Sequence, residues 1–140
     1  MKARAAVLVS LLVGLVTSHL SSPATVDPLI EFTYTDGHWA PDSTPEVQEC
    51  GYYLLIRGTI THSGGFRPGA SVRLVGDTVA AAVNLYRASF FDQRDARRAR
   101  WTLRVGALDA RTYQVSVAVG GSLPVRREAK LSFQQEGCAP

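Results

Sequence analysis

Between Trp101 and Val119 the chain alternates twice at a period of two, and no other feature constrains its fold as strongly. Trp101, Leu103 and Val105 are separated by Thr102 and Arg104. Tyr113, Val115, Val117 and Val119 repeat in the same way. A period of two sends one set of side chains to one face, so each run predicts a half-buried β-strand. The residues from Gly106 to Thr112 cross from one strand to the next, and the crossing ends on Tyr113.

Shorter versions of the pattern recur. Ile30, Phe32 and Tyr34 alternate with Glu31, Thr33 and Thr35, which predicts a first strand. Gly51 to Thr61 is the strongest candidate of the first half. Tyr52, Leu54, Ile56 and Ile60 share one face, and Tyr53, Leu55, Arg57 and Thr59 take the other. Apolar residues on both faces at its start predict a central strand. Gly64-Gly65, Pro68-Gly69 and Gly76-Asp77 read as turns. Val72 and Leu74, then Val79, Ala81, Val83 and Leu85, are again spaced two apart. Val125 to Phe133 closes the series, with Ala129, Leu131 and Phe133 on one face. Residues 36–49, with Pro41 and Pro45, read as a loop or extended crossing. Residues 90–100 are the one stretch with helical character.

The first 24 residues read as a secretory signal peptide. Lys2 and Arg4 form a positive start, Ala5 to Val16 is an apolar run, and Ser22-Pro23-Ala24 offers small residues for cleavage. The run is shorter than the roughly 20 residues a membrane-spanning helix needs. No second apolar run follows, so no membrane anchor is expected. Residues 25–49 form an acidic N-terminal arm that includes the first strand, and residues 50–140 form the body. The chain carries 15 Lys and Arg against 12 Asp and Glu, or 13 against 12 once Lys2 and Arg4 are set aside. All six acidic residues of the arm (Asp27, Glu31, Asp36, Asp42, Glu46 and Glu49) precede the first basic residue of the body, Arg57. Either the arm docks on the body, or the surface is polarised, or the charges are merely solvated.

Cys50 and Cys138 both lie beyond the signal. In an oxidising compartment a lone pair at opposite ends of a domain most simply closes on itself, which stabilises by about 4 kcal/mol on the chain-entropy account. Intermolecular pairing and free thiols are the alternatives. Should the final strand lie beside the 113–119 strand, Cys138 falls near one end of the domain, and Cys50 can lie there too.

Two places invite a partner. Trp39 stands in polar surroundings and reads either as a binding hot spot or as a plug for the edge of the core. Arg94, Arg97, Arg98 and Arg100 crowd one loop or short helical turn. They read either as an anion site for a phosphate, a sulfated glycan or an acidic protein surface, or as a solvated loop tip partly neutralised by Asp92 and Asp95. No aromatic residues interleave with them, so nucleic acid is not an expected partner.

Seven strands with turn signals between them make the chain all-β, a β-sandwich. The segment from Trp101 to Val117, with Leu108 and Tyr113 at its corner, resembles the closing half of bacterial immunoglobulin-like repeats. Gly58 to Leu74 resembles the opening half of that family and of the carboxypeptidase regulatory-like domain. Arg111 stands where such corners usually carry Gly. The resemblance implies an immunoglobulin-like or E-set Greek-key sandwich whose Tyr113 hydroxyl bonds back to the connecting loop. It implies adhesion, ligand display or structural spacing, and supplies no catalytic residue.

Catalytic chemistry has little to stand on. Beyond the signal only His38 and His62 remain, and neither has metal-ligand spacing. There is no nucleophile elbow, no phosphate-cradling loop and no N-glycosylation acceptor. No catalytic, cofactor or metal site is expected. An active site would require a pocket where His38 or His62 meets a carboxylate. The sequence therefore predicts a secreted or periplasmic, non-enzymatic binding or adhesion module, a monomer or weak oligomer, that holds a protein or an acidic glycan. The alternatives are a receptor-like immunomodulator and a small secreted enzyme inhibitor.

Overall fold

A computed structural model describes residues 25–41, 44–88, 96–134 and Cys138. The expected signal peptide and Arg94 lie outside the described residues. There is no helix among those described. Nine strands follow in chain order: β1 Thr25–Val26, β2 Leu29–Gly37, β3 Glu46–Cys50, β4 Tyr53–Ser63, β5 Phe66–Val75, β6 Thr78–Arg87, β7 Ala96–Gly106, β8 Thr112–Val119 and β9 Val125–Lys130. They form a five-stranded sheet in the order β1-β5-β6-β8-β9 and a four-stranded sheet in the order β2-β7-β4-β3. All pairings are antiparallel except that of β6 with β8, which is parallel.

The core lies between the two sheets. Leu54, Ile56 and Ile60 of β4 and Ala99, Trp101, Leu103 and Val105 of β7 meet Val79, Ala81 and Val83 of β6 and Tyr113, Val115 and Val117 of β8. These are the alternating positions of the sequence, because a sheet with one covered face sorts its side chains by parity. β4 is central, between β7 and β3. Trp101 is wholly buried beside Gly58, its cross-strand partner, where a Cβ would come within 2.5 Å of the indole. Glycine is what lets the two strands accept so large a ring.

Five local expectations are corrected. Residues 96–100, expected to be helical, are the start of β7, since Ala99 continues the buried parity of Trp101 and Leu103. The expected loop over 36–49 contains the end of β2 and the whole of β3, which adds a ladder to β4 with Val47 packed inward. Pro68-Gly69 is not a turn but lies within β5. There β5 pairs only with β6, so its other edge tolerates the missing N–H of Pro68, and the Tyr86 ring lies against Gly69. Phe133 does not join Ala129 and Leu131 in the core; it is 69% exposed beyond the end of β9. Tyr52 precedes β4 and is exposed, leaving Leu54 to begin the buried face.

The acidic segment before Cys50 supplies β1, β2 and β3, and so contributes to both sheets. Cys50 and Cys138 form a disulfide with a Cα–Cα distance of 5.1 Å. The Tyr113 hydroxyl donates to the Asp109 carbonyl at 3.1 Å, and Leu108 is buried beneath the same crossing. Arg111 does not break this corner. Its guanidinium lies over the Tyr113 ring and bridges Asp77 and Asp109, each at 2.9 Å.

Candidate functional site

The parity that buries Ala99, Trp101, Leu103 and Val105 sends Arg98, Arg100, Thr102 and Arg104 to the outer face of the four-stranded sheet. Alternate residues on a strand stand about 6.8 Å apart, so the arginines form a column along β7 rather than a cluster. Arg57 of β4 pairs with Thr102 and belongs to the same face. Arg97 has the opposite parity and leaves the column. It reaches toward Asp36, with Nη1 4.0 Å from the carboxylate. Of the expected group, Arg98 and Arg100 thus share the outer face and Arg97 does not, while Arg94 lies outside the described residues.

Trp39 joins the column. After β2 ends at Gly37 the chain folds back, and the indole Nε1–H donates to the Thr35 carbonyl at 2.9 Å. The ring lies close over Gly37, where a Cβ would come within 3.0 Å of Nε1. Arg98 donates to the Trp39 carbonyl at 2.6 Å. The Arg100 guanidinium sits 4.4 Å from the Trp39 ring centroid. This is cation–π geometry, which orients a guanidinium without neutralising it. The two places singled out separately in the sequence are therefore one surface. Trp39 does not plug the core edge; it shelves an arginine.

Beside this shelf is an open hollow of about 470 Å³ lined by Asp36, His38, Trp39, Thr61, Arg97 and Arg98. Its lining holds one carboxylate, Asp36, which is engaged by His62 and approached by Arg97. Arg98 stands opposite Gly37 and Thr61, and Arg100 opposite Thr35 and Thr59, none of them acidic. Farther down the face, Arg104 stands opposite Glu31, and Arg57 opposite Glu46. The arginines of this face without an acidic residue across the ladder are thus the two at the Trp39 end. A second stack closes the other end, where the Arg104 guanidinium lies 4.1 Å from the Tyr53 ring centroid. Sequence reasoning set Tyr53 and Arg57 on one face of their strand but named neither of them, nor Arg104, as a candidate binding residue. The signal was present in the alternation of Trp101, Leu103 and Val105, which assigns every intervening residue to the outside.

One histidine does meet a carboxylate. His62, 6% exposed, donates from Nε2 to Asp36 Oδ1 at 2.6 Å, and its Nδ1 lies 3.0 Å from the carbonyl oxygens of both Ser63 and Phe66. Every partner is an acceptor, so the ring satisfies them all only as imidazolium. Burial pulls its pKa down, but the hydrogen bond to Asp36, the Ser63 and Phe66 carbonyls and the Asp36 charge outweigh this and hold it above the usual histidine value. With both nitrogens engaged, the ring has none free to accept a substrate proton. The pair ties the end of β2 to the end of β4. Among the described residues no group of three or more His, Cys, Asp or Glu is placed to hold a metal ion. None of the described residues forms a helix long and apolar enough to cross a membrane.

No protein-family model, curated protein or solved structure matches this chain.

Proposed function

We propose that the protein is a secreted, non-enzymatic binding module that holds an acidic partner on the outer face of its four-stranded sheet. The contact centres on Trp39, Arg98 and Arg100. The observation that carries this reading is the Arg100–Trp39 stack beside Arg98, at the end of the face where no acidic residue stands across the ladder. A guanidinium held over an aromatic ring keeps N–H groups for a carboxylate or sulfate, which it can grip bidentately. Sulfated or carboxylated glycans and acidic protein surfaces both offer that chemistry. Secretion is supported by the apolar run after Lys2 and Arg4 and by a disulfide between the chain's two cysteines. The immunoglobulin-like assignment is supported by the two-sheet architecture and the bond from Tyr113 to its own crossing; the parallel β6–β8 pair departs from that pattern.

The test is binding to a sulfated-glycan array at low and high salt, with the Arg98→Ala/Arg100→Ala double variant beside the parent. Retention that falls with salt, and drops roughly tenfold or more in the double variant, is the expected result. Trp39→Ala is expected to weaken binding less, because it releases Arg100 without removing its charge. Binding indifferent to both variants removes this face from the function.

A further inference from the structure

Two sheets have four edge strands, and in this protein three of the four are blunted. β1 is two residues long, and the stretch of β5 it leaves open carries Arg67, Pro68 and Arg73. β3 has five residues and carries Glu46 and Glu49. β9 carries Arg126, Arg127, Glu128 and Lys130 among its six. Short length and charge are the means by which sheet edges avoid pairing with other chains. β2 uses neither. It runs nine residues without Pro, Lys or Arg. Among the described residues only β7 pairs with it, so its other edge presents a strand's row of backbone N–H and C=O groups.

The core-facing side of β2 is also incompletely covered. Ile30 is 43% exposed and Tyr34 36%, although both have the inward parity of Phe32, which packs beside Trp101. The four-stranded sheet thus overhangs its partner sheet at this edge and leaves an apolar strip beside an open ladder.

We infer that β2 is a self-association edge. A second copy of the chain pairs its own β2 antiparallel across a two-fold axis at Phe32, joining two four-stranded sheets into one of eight. The residue order within β2 selects a second copy as the occupant. With the axis at Phe32, Ile30 faces Tyr34 of the second copy, Phe32 faces Phe32, and Tyr34 faces Ile30. The apolar strip is continued on the same face. On the outer face Glu31 meets Thr33 and Thr33 meets Glu31, so no like charges oppose one another. Moving the axis to Glu31 would set that carboxylate against itself. Moving it to Thr33 would set Asp36, already held by His62, against Ile30. Because neighbouring registers are penalised, the pairing is specified rather than merely permitted.

This inference does not rest on the ligand proposal, but it changes what the outer face presents. The two β7 strands lie three strand spacings apart, about 14 Å, so two Arg98–Arg100 columns run antiparallel across one surface.

Sedimentation velocity on the intact protein, from low to high micromolar concentration, tests the pairing with substitutions at exposed Thr33. The parent is expected to show a concentration-dependent monomer–dimer equilibrium. Thr33→Glu sets glutamates opposite each other twice and is expected to weaken the dimer roughly tenfold, whereas Thr33→Lys faces Glu31 twice and is expected to tighten it. A protein monomeric throughout that range overturns the inference. So does a dimer indifferent to the charge at residue 33.

Discussion

On the side of the sandwich where β3 approaches β9, a disulfide and side-chain hydrogen bonds close the structure, whereas on the side where β2 ends the four-stranded sheet apolar residues stand open to solvent. The closed side joins Cys50 to Cys138, receives the Lys130 N–H on Glu49 Oε1 at 2.6 Å, and takes the Tyr53 hydroxyl onto the Cys138 carbonyl at 3.1 Å. The open side is spanned by Asp27-Pro28, between β1 in one sheet and β2 in the other, and tied at its far end by Asp36 and His62. The difference shows how a small sandwich divides its labour. A covalent tie closes one side, while the opposite edge keeps its backbone groups unpaired among the described residues and Ile30 and Tyr34 exposed.

The largest test of this contrast is removal of the tie. Cys50→Ser/Cys138→Ser is expected to cost about 4 kcal/mol, because the bridge closes most of the described chain into one loop. Denaturant unfolding measures this, and an unchanged midpoint would mean that the closed side owes nothing to its bridge. Hydrogen exchange in the double variant should rise first in β3 and β9 while β2 changes little.

The tie on the open side makes a smaller and pH-dependent contribution. The folded pKa of His62 lies above its unfolded value of about 6.5. Its stabilisation is therefore fully present below that unfolded value and fades as pH rises through the folded one. Asp36→Asn is expected to cost roughly 2 kcal/mol at mildly acidic pH and progressively less in alkali, because the imidazolium then donates to a neutral amide oxygen instead of a carboxylate. A loss of equal size at every pH would show that protonation of His62 has no part in the tie.

The smallest effect concerns a tether that belongs to neither side. Tyr113→Phe deletes the bond to Asp109 from the crossing between β7 and β8 and is expected to cost about 1 kcal/mol, read from the same unfolding curves. Exchange rates at β2 and at β3 should then shift alike. A change confined to one side would place Tyr113 in that side's closure.

Much of the fold was legible because burial on one face imposes a period of two, and that period survives in the order of residues. Leu54, Ile56, Trp101, Leu103, Val115 and Val117 reveal the core in this way, and the lone pair Cys50 and Cys138 anticipated the closing bridge. β3 was not legible. Glu46, Gln48 and Glu49 lack a strand's pattern, and what makes them a strand is the open ladder of β4 beside them. Pro68-Gly69 misled for a related reason, since a turn signature is compatible with a strand wherever one edge is unpaired.

The candidate site divides in the same manner. Its residue types were visible, for an isolated Trp39 and a run of arginines stand out in any reading. Their grouping was not, because nearness along the chain had joined Arg97 to Arg98 while the strand sends them to opposite faces. By itself the sequence determined the parity that buries Leu54, Trp101 and Val115, since one covered face imposes a period of two. It did not determine where that burial stops, for Tyr52 and Phe133 fit the period and are exposed. Only the tertiary structure decided that Arg100 would rest on Trp39 and that His62 would be held by Asp36. Each of those contacts joins residues distant in sequence, and strand register, set by packing across the whole sheet, is what brings them within reach.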